Sequence, residues 1–320
     1  MLYKRKLAFS ILFAIAGYGA WVAVSDAGDV FNSAIRVGAF GLVYICIMSV
    51  LNYALRFARW HWYFRRMGHN LAVWEHLRIY LAGFALTTTP GKAGEAIRSL
   101  FLKEHGVPYT ASLAALAAER IADVISIALI AAVGIVLVDQ FRWLAILMLL
   151  GAVILIVSLH SNKMHILLHR LMMKMPNGRL QGLADRVIVM LGRISQIMSA
   201  RNLVLSVAIG IVAWGAEAYG FWFLVNALGY ELPLLVAAAV YALGMLAGAI
   251  SFMPGGLGGA EAAMAVMLVG LGFSGPDAVS ATLICRLATL WLAVAIGFVA
   301  LGTLSPISWQ SLTSTAEDGQ

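Results

Sequence analysis

The chain has 320 residues, of which 62% are hydrophobic and 12% charged, and its mean hydropathy is +0.90. This composition excludes a soluble globular domain, because such domains carry about 25% charged residues. Apolar runs approach the ~20 residues that a helix needs to cross a bilayer, and the two-residue alternation of a membrane β-barrel is absent. The sequence therefore predicts an all-α polytopic membrane protein with a single transmembrane domain, residues 1–320.

The net charge of +7 does not indicate nucleic-acid binding, because the basic residues fall in short segments between apolar runs, as the positive-inside bias requires. Two cysteines, Cys46 and Cys285, lie within apolar runs. Their positions favour buried small hydrophobic side chains over a disulfide or a metal site. We expect no nucleic-acid partner and no cofactor.

The first predicted span runs from about Leu7 to Val24, after the basic segment Lys4-Arg5-Lys6. We interpret it as an uncleaved span with its basic end in the cytoplasm, because no convincing signal-peptidase site follows. The second span, residues 34–55, leads to four arginines that alternate with aromatic residues: Arg56, Arg59, Trp60, Trp62, Tyr63, Arg65 and Arg66. This pattern predicts an interfacial anchor whose cations face the inner leaflet, with recruitment of anionic lipid as the alternative.

The next apolar segment starts near Leu77 and is interrupted at residues 87–95, Thr-Thr-Thr-Pro-Gly-Lys-Ala-Gly-Glu. Proline and glycine end the helix there, and a second helix is expected to start at Ala93. Basic residues flank both ends, at Arg78 before the break and at Arg98 and Lys103 after it. Residues 77–104 are therefore predicted to enter the membrane from the cytoplasm and return, as a re-entrant hairpin.

The third span, residues 112–138, carries charged residues, and the fourth, residues 143–159, returns to the cytoplasm. Residues 160–200 hold the densest basic cluster and are predicted to be a cytoplasmic loop. Within this loop, residues 183–198 show the spacing of a helix that lies in the plane of the membrane surface. His165 and His169 are four residues apart, but no carboxylate or cysteine completes a ligand shell, so a solvated loop explains them better than a metal site.

The fifth span, residues 203–228, carries Glu217 and precedes a second broken segment, residues 234–271. Its break has the sequence Ser-Phe-Met-Pro-Gly-Gly-Leu-Gly-Gly-Ala-Glu at residues 251–261. No lysine or arginine occurs between Arg201 and Arg286, so this segment is predicted to enter and leave from the outer face. The sixth span, residues 278–301, leads to a polar tail, residues 303–320, in the cytoplasm.

The two broken segments share one pattern. Each has Pro-Gly, further glycine and a glutamate, and an arginine follows that glutamate after 25 residues: Glu95 and Arg120, Glu261 and Arg286. The units 34–138 and 203–301 start on opposite sides of the membrane. We therefore predict an inverted repeat of about six full spans plus two re-entrant hairpins.

Charged side chains inside the predicted membrane segments are candidates for function, because each costs about 2.5–3.5 kcal/mol at the bilayer centre on insertion scales. Backbone N–H groups at the two tips, the positive ends of the restarting helices, hydroxyls and arginines together predict a site for an anion such as phosphate. Glu95 and Glu261 are expected to pair with the arginines that follow them or to carry a proton. Capping with fixed ion pairs is the alternative for the glutamates, and simple helix breaking is the alternative for the prolines and glycines.

The predicted substrate-binding residues come from both breaks and from the spans that follow them. Glu217 is a further intramembrane charge. The binding set is Thr88, Thr89, Pro90, Gly91, Lys92, Gly94, Glu95, Glu119, Arg120, Asp123, Ser251, Pro254, Gly255, Gly256, Gly258, Glu261 and Arg286.

These paired motifs, residues 89–95 with Glu119-Arg120-x-x-Asp123 and residues 251–261 with Arg286, resemble the flippase-like transmembrane family over about residues 7–301. That family includes the membrane domain of lysylphosphatidylglycerol synthases, the multiple peptide resistance factors. The resemblance implies movement of a lipid between leaflets, an aminoacylated phosphatidylglycerol in the fused synthases and isoprenoid-linked or other lipids in stand-alone members. No aminoacyl-transfer domain follows in this sequence, a departure from the fused synthases that puts lysylphosphatidylglycerol itself in doubt as the substrate.

The sequence thus predicts a transporter for an anionic membrane lipid in a bacterial inner membrane, with both termini cytoplasmic. No ATP-binding motif is visible, so transport is expected to be passive or ion-coupled. One alternative is an intramembrane lipid-phosphate transferase in which Glu95, Glu119 and Asp123 act as bases or metal ligands. Another is a non-catalytic membrane partner of a lipid- or glycan-synthesis complex.

Overall fold

The computed structural model describes residues 27–136, 142–160, 179–251 and 253–304, and these residues form helices and no strand. The predicted all-α class is confirmed. The first predicted span, the two histidines at 165 and 169, and residues 305–320 of the polar tail lie outside the described residues.

Helix α1 spans Ala27–Arg66, with a break in its helical geometry at Gly38, where φ is 72°. It is eleven residues longer at its carboxyl end than the predicted span, because no proline or glycine interrupts residues 56–66. The chain turns at Gly68, where φ is +85°. This extension determines where the arginines of α1 lie.

The first broken segment contains two α-helices, α2 (Val73–Ala82) and α3 (Arg98–Glu104). Between them lie two 3₁₀ segments, Gly83–Leu86 and Pro90–Ile97. The predicted restart of the helix at Ala93 is wrong, since α3 starts only at Arg98. The proline and two glycines within residues 90–94 are poor α-helix formers, which accounts for the longer break.

The remaining helices follow the predicted order. They are α4 (Tyr109–Ile135), α5 (Arg142–His160), α6 (Arg179–Ile197), α7 (Ala200–Ala227), α8 (Leu234–Ile250), α9 (Gly259–Gly270), α10 (Gly275–Arg286) and α11 (Leu292–Gly302). A 3₁₀ turn, Pro254–Gly256, separates α8 from α9, and a π-helical turn, Leu287–Trp291, joins α10 to α11. Within the described residues, three segments are long and apolar enough to cross a membrane: Gly28–Arg66, Ala200–Ala227 and Gly275–Gly302.

Helix α4 lies at the centre of the packing, in contact with α5, α6, α7 and α8. Its inner face is rich in alanine, including Ala114, Ala118 and Ala122, which are 0% exposed. A Cβ on Gly134 would overlap the backbone carbonyl of Leu235 in α8. Small residues allow membrane helices to approach closely, so α4 contacts both halves of the chain.

In each broken segment, residues at the start contact residues at the end. Glu75, at the start of α2, lies 3.0 Å from His105, just after α3. In the second segment the rings of Tyr230 and Phe273 stack with centroids 3.8 Å apart, before α8 and after α9.

These two places lie at opposite ends of α1. Near its carboxyl end, Trp60 Nε1 donates to His76 Nε2 of α2 at 2.7 Å. Near its amino end, Arg36 forms an ion pair with Asp277, which also accepts a hydrogen bond from Tyr230 Oη at 2.7 Å. The stretch of helix between these contacts is roughly 35 Å long at 1.5 Å per residue, so the two broken segments approach the interior from opposite directions.

Candidate functional site

Arg120, in the middle of α4, lies among three carboxylates. Its Nη2 is 3.5 Å from Glu95 Oε2, 3.3 Å from Glu119 Oε1 and 3.5 Å from Asp123 Oδ2. These distances exceed the ~2.7–2.9 Å of a charge-assisted hydrogen bond. The predicted pairing of Arg120 with Glu95 and Asp123 is confirmed, and the side chain, which is 29% exposed, is shared among partners.

Three further arginines are buried in the same cluster: Arg56, Arg59 and Arg98 are 4%, 0% and 1% exposed. Arg56 Nη2 donates to Glu119 Oε1 at 2.9 Å and lies 3.1 Å from Asp123 Oδ2. Arg59 also pairs with Asp123, and Arg98 Nη1 lies 3.4 Å from Glu119 Oε2. The interfacial-anchor prediction is wrong for Arg56 and Arg59, because α1 continues beyond them and brings both against α4.

One sequence signal for these arginines is their spacing. Arg56 and Arg59 are three residues apart and share a helical face, as do Glu119 and Asp123, four apart, on α4. Trp60, predicted at headgroup level, is likewise buried, at 1% exposure. Two cations on one helical face therefore meet two anions on another.

The cluster carries more positive than negative groups. Among the described side chains it holds four arginines and three carboxylates, which gives it a net charge of +1: Arg56, Arg59, Arg98, Arg120, Glu95, Glu119 and Asp123. The adjoining Arg286, Glu261 and Glu217 add one arginine and two carboxylates, so the five arginines and five carboxylates described around the two cavities balance in charge.

In the second unit, Arg286 makes two short contacts. Its Nε donates to Glu261 Oε1 at 2.7 Å, as predicted from the 25-residue spacing. Its Nη2 donates to the carbonyl of Gly255 at 2.8 Å, so the guanidinium is tied to the backbone of the break. Arg286 is 4% exposed and directly precedes the π-helical turn.

The two breaks meet in the interior. A Cβ on Gly255 would lie 3.4 Å from the Cα of Thr88, so the two backbones are nearly in contact. Gly255, Gly256 and Gly258 have φ of 65°, 69° and 83°. Residues with a Cβ seldom adopt these angles, so these glycines permit the shape of the second tip.

The hydroxyls of the breaks are engaged within the breaks. Thr87 Oγ1 donates to Glu95 Oε1 at 2.7 Å, and Thr89 Oγ1 accepts from the backbone N–H of Gly94 at 2.6 Å. Ser251 Oγ donates to the carbonyl of Gly248 at 2.8 Å. A ligand would have to displace these bonds before it could use these hydroxyls.

A cavity of about 150 Å³ lies where the two units meet. Arg120 and Asp123 line it from α4, and Arg286, Gly255 and Gly256 line it from the second unit. Trp214 and Met245 form part of its apolar wall. One arginine from each unit therefore faces a common space with room for a small anionic group.

A second cavity, of about 50 Å³, adjoins the first at Arg286. It shares Trp214, Met245 and Arg286 with the first and is lined by Glu95 and Glu217. The hydroxyl of Tyr241 donates to Glu217. Carboxylates therefore line both cavities that Arg286 faces: Asp123 in the first, and Glu95 and Glu217 in the second.

The other predicted site residues lie around these cavities. Glu119 and Glu261 lie behind the arginines, at 0% and 2% exposure. Gly94 leaves no room for a Cβ beside the carbonyl of Leu86. Pro254 begins the 3₁₀ turn of the second break. Three residues belong to the first 3₁₀ break, but their side chains are outside the described part: Pro90, Gly91 and Lys92.

Among the described residues, no group of three His, Cys, Asp or Glu side chains is placed to hold a metal ion.

A family model described as the lysylphosphatidylglycerol synthase TM region matches residues 7–297. The match includes both breaks and both arginines that face the larger cavity. No curated protein matches the chain. The resemblance predicted from the paired motifs is confirmed, and the chain belongs to the family of the lysylphosphatidylglycerol synthase TM region.

Proposed function

We propose that the protein transports an anionic, phosphate-bearing lipid, such as a phospholipid or an isoprenoid-linked lipid, between the leaflets of a bacterial inner membrane. The observation that carries this proposal is that Arg120 and Arg286 face one cavity of about 150 Å³. One guanidinium group can bind two phosphate oxygens at once, so two guanidinium groups suit a phosphate head group. Membership of a lipid-related membrane family supports the same substrate class.

The position of the arginines supports a site near the middle of the membrane. Arg120 lies close to the centre of α4, whose 27 residues are about 40 Å long. Arg286 lies close to the centre of the segment Gly275–Gly302, which is long enough to span a bilayer. A head group held between them would be about halfway between the two surfaces.

We also propose that the two units form an inverted repeat with two re-entrant hairpins, residues 77–104 and 234–271. Helices α8 and α9 have 17 and 12 residues, about 25 and 18 Å, and each is shorter than the ~30 Å hydrocarbon core. Further support comes from the Glu75–His105 and Tyr230–Phe273 contacts, which join the start and end of each segment at opposite ends of α1. Transporters of this architecture bind substrate where the two repeats meet.

The contacts suggest different tasks for the two arginines. Arg120 has only long contacts with Glu95, Glu119 and Asp123, so a phosphate can replace a carboxylate there at modest cost. Arg286 keeps Glu261 and the Gly255 carbonyl and offers its remaining edge to the cavity. Transport is passive, or coupled to a proton carried by Glu95 or Glu261. We propose that both termini lie in the cytoplasm and that lipid- or glycan-synthesis enzymes are partners of the protein.

Leaflet exchange in liposomes tests the proposal. The wild-type protein should accelerate exchange of a fluorescent phosphatidylglycerol, read as the fraction that a membrane-impermeant quencher reaches. Arg120→Ala, and Arg286→Gln combined with Glu261→Gln to avoid an unpaired buried carboxylate, should both return exchange to the protein-free rate. Arg201→Ala, at an exposed arginine, is the matched control and should behave as wild type.

Unchanged exchange in both site variants, with the proteins still folded, would contradict the site. Conversion of the labelled lipid to a new product would instead favour the transferase alternative.

A further inference from the structure

An apolar cleft of about 300 Å³ runs between α4, α7 and α8. Its lining includes Leu129 and Val133 of α4, Ala218 of α7, and Leu235 and Ala238 of α8. None of the described residues that line it is charged. Its walls are partly open, since Val133 and Leu235 are 56% and 44% exposed.

The same three helices line the arginine cavity. On α4, Ile127 lines the cavity and Ile130, three residues later and on the same helical face, lines the cleft. On α7, Trp214 lines the cavity and Ala218, four residues later and on the same helical face, lines the cleft. The charged cavity and the apolar cleft are therefore consecutive parts of one seam.

We propose that this cleft holds the hydrocarbon chain of the lipid whose head group lies at Arg120 and Arg286. The inference rests on the proposed function and adds a binding site for the hydrocarbon chain of its substrate. The ligand is an amphiphile whose phosphate is joined closely to a long chain, because the charged and apolar spaces are adjacent. A water-soluble phosphate compound has no hydrocarbon chain, so it would fill the charged cavity and leave the cleft empty.

The order of the two spaces along α4 indicates which leaflet the lipid comes from. The head group lies at residues 120–127 and the chain at residues 129–133, so the chain points toward the carboxyl end of α4. A membrane lipid points its chain away from its own surface. The site therefore accepts a lipid of the leaflet at the amino end of α4, next to α3.

Hydrophobicity alone cannot select this chain, because the surrounding lipid tails are as apolar as the cleft. The chain gains only shape complementarity, whereas the phosphate gains charge-assisted hydrogen bonds in a low-dielectric site. Occupancy of the cleft by the transported lipid must therefore depend on the two arginines. Bulk lipid in the same cleft would show no such dependence.

Photo-crosslinking tests this dependence. A benzophenone amino acid is placed at position 133 in the cleft, or at Val266 of α9, a lipid-facing control that is 71% exposed. Each protein is reconstituted in phosphatidylcholine vesicles that contain a trace of chain-labelled phosphatidylglycerol. Neutralising Arg120 and the Arg286–Glu261 pair should lower labelling at 133 by about tenfold and leave labelling at 266 unchanged.

Equal labelling at position 133 with and without the arginines would overturn the inference and identify bulk lipid in the cleft. Crosslinks from position 133 to a second copy of the chain would overturn it in favour of an oligomer contact. Leaflet exchange measured on the same vesicles reports separately on the proposed function. Exchange that requires the arginines, together with labelling that does not, would refute the chain site alone.

A cleft-filling variant gives an independent readout. A Cβ on Gly215 meets no atom within 4 Å, so Gly215→Phe extends into the cleft without a clash at its base. Gly151 in α5 is equally open and lies outside the cleft lining, so Gly151→Phe is the matched control. Gly215→Phe should slow lipid exchange by about tenfold while Gly151→Phe does not. Equal exchange in the two variants would contradict the proposal.

Discussion

The two glutamate–arginine pairs have the same spacing in the sequence but are built differently. Arg286 is bound at 2.7 Å by Glu261 and at 2.8 Å by the Gly255 carbonyl, and it is almost fully buried. Arg120 has contacts of 3.3–3.5 Å with three carboxylates, and 29% of its side chain is exposed. The repeated spacing thus predicts which glutamate pairs with which arginine. How tightly each arginine is held depends on the neighbouring residues in its own half.

The two breaks differ in the same sense. In the second unit, α9 begins at Gly259 and Glu261 lies in its first turn. In the first unit, residues 90–97 remain in a 3₁₀ segment, and Glu95 is held by Thr87 at 2.7 Å. The second half therefore presents a fixed arginine, and the first half presents one that can exchange partners.

The largest expected effect is on the stability of the arginine–carboxylate cluster in the first unit. Glu119 is 0% exposed and accepts hydrogen bonds at 2.9 Å from both Arg56 and Tyr80. Glu119→Gln leaves buried arginines short of a partner and should lower the free energy of unfolding by about 3–5 kcal/mol. Denaturant unfolding of the purified protein measures this, with Glu231→Gln, an exposed glutamate, as the control. An equally small change in the free energy of unfolding for Glu119→Gln and Glu231→Gln would show that the buried arginines do not depend on Glu119.

The next effect compares the two arginines directly. Arg286→Lys keeps the charge, but a single ammonium group cannot reproduce the hydrogen bonds that the planar guanidinium donates to Glu261 and the Gly255 carbonyl. The loss of a charge-assisted bond, about 1.5–3 kcal/mol, corresponds to roughly a ten- to hundredfold fall in lipid exchange. Arg120→Lys should cost less, because its contacts are already long and shared. Larger loss in Arg120→Lys than in Arg286→Lys would reverse the assignment of the fixed and mobile partners.

A third prediction concerns the contact between the tips. Gly255→Ala places a Cβ at φ 65° and at 3.4 Å from Thr88, and Gly272→Ala places one at φ 92° with no neighbour. Both should lose about 1–2 kcal/mol of stability to backbone strain. Only Gly255→Ala should also slow exchange, because its backbone strain falls where the second break touches Thr88 and holds Arg286 through the Gly255 carbonyl. The same exchange rate in both variants would show that this contact does not matter for transport.

The smallest expected effect is the pH-dependent stabilisation by the Glu75–His105 contact, which joins the start and end of the first broken segment. Burial lowers the pKa of His105, but its hydrogen bonds with the Phe101 carbonyl and Glu75 outweigh this, and its net pKa is raised. A raised folded pKa stabilises the fold below the ordinary value of about 6.5, and this stabilisation is lost as pH rises through the folded pKa. The stability difference between wild type and Glu75→Gln should stay below about 1 kcal/mol and vanish at alkaline pH. Unfolding curves on both sides of that range check the sign.

Much of the site could be predicted from local sequence, and the rest depended on how helices meet. The Glu95–Arg120 and Glu261–Arg286 pairs were predictable, because repeated spacing and the cost of a lone intramembrane charge both require a partner. Arg56, Arg59 and Arg98 were not predicted, since their burial depends on where α1 ends and how it packs on α4. Arginines near a span end look alike in sequence whether they face head groups or a neighbouring helix.

Native mass spectrometry tests the central claim most directly, because it counts lipids that stay bound to the protein. Wild-type protein released from mixed micelles should retain phosphatidylglycerol in preference to phosphatidylcholine. The variant with Arg120→Ala, Arg286→Gln and Glu261→Gln should lose that preference while Arg201→Ala keeps it. Equal retention of the two lipids by wild type, or an unchanged preference in the triple variant, would contradict a head-group site between the two arginines.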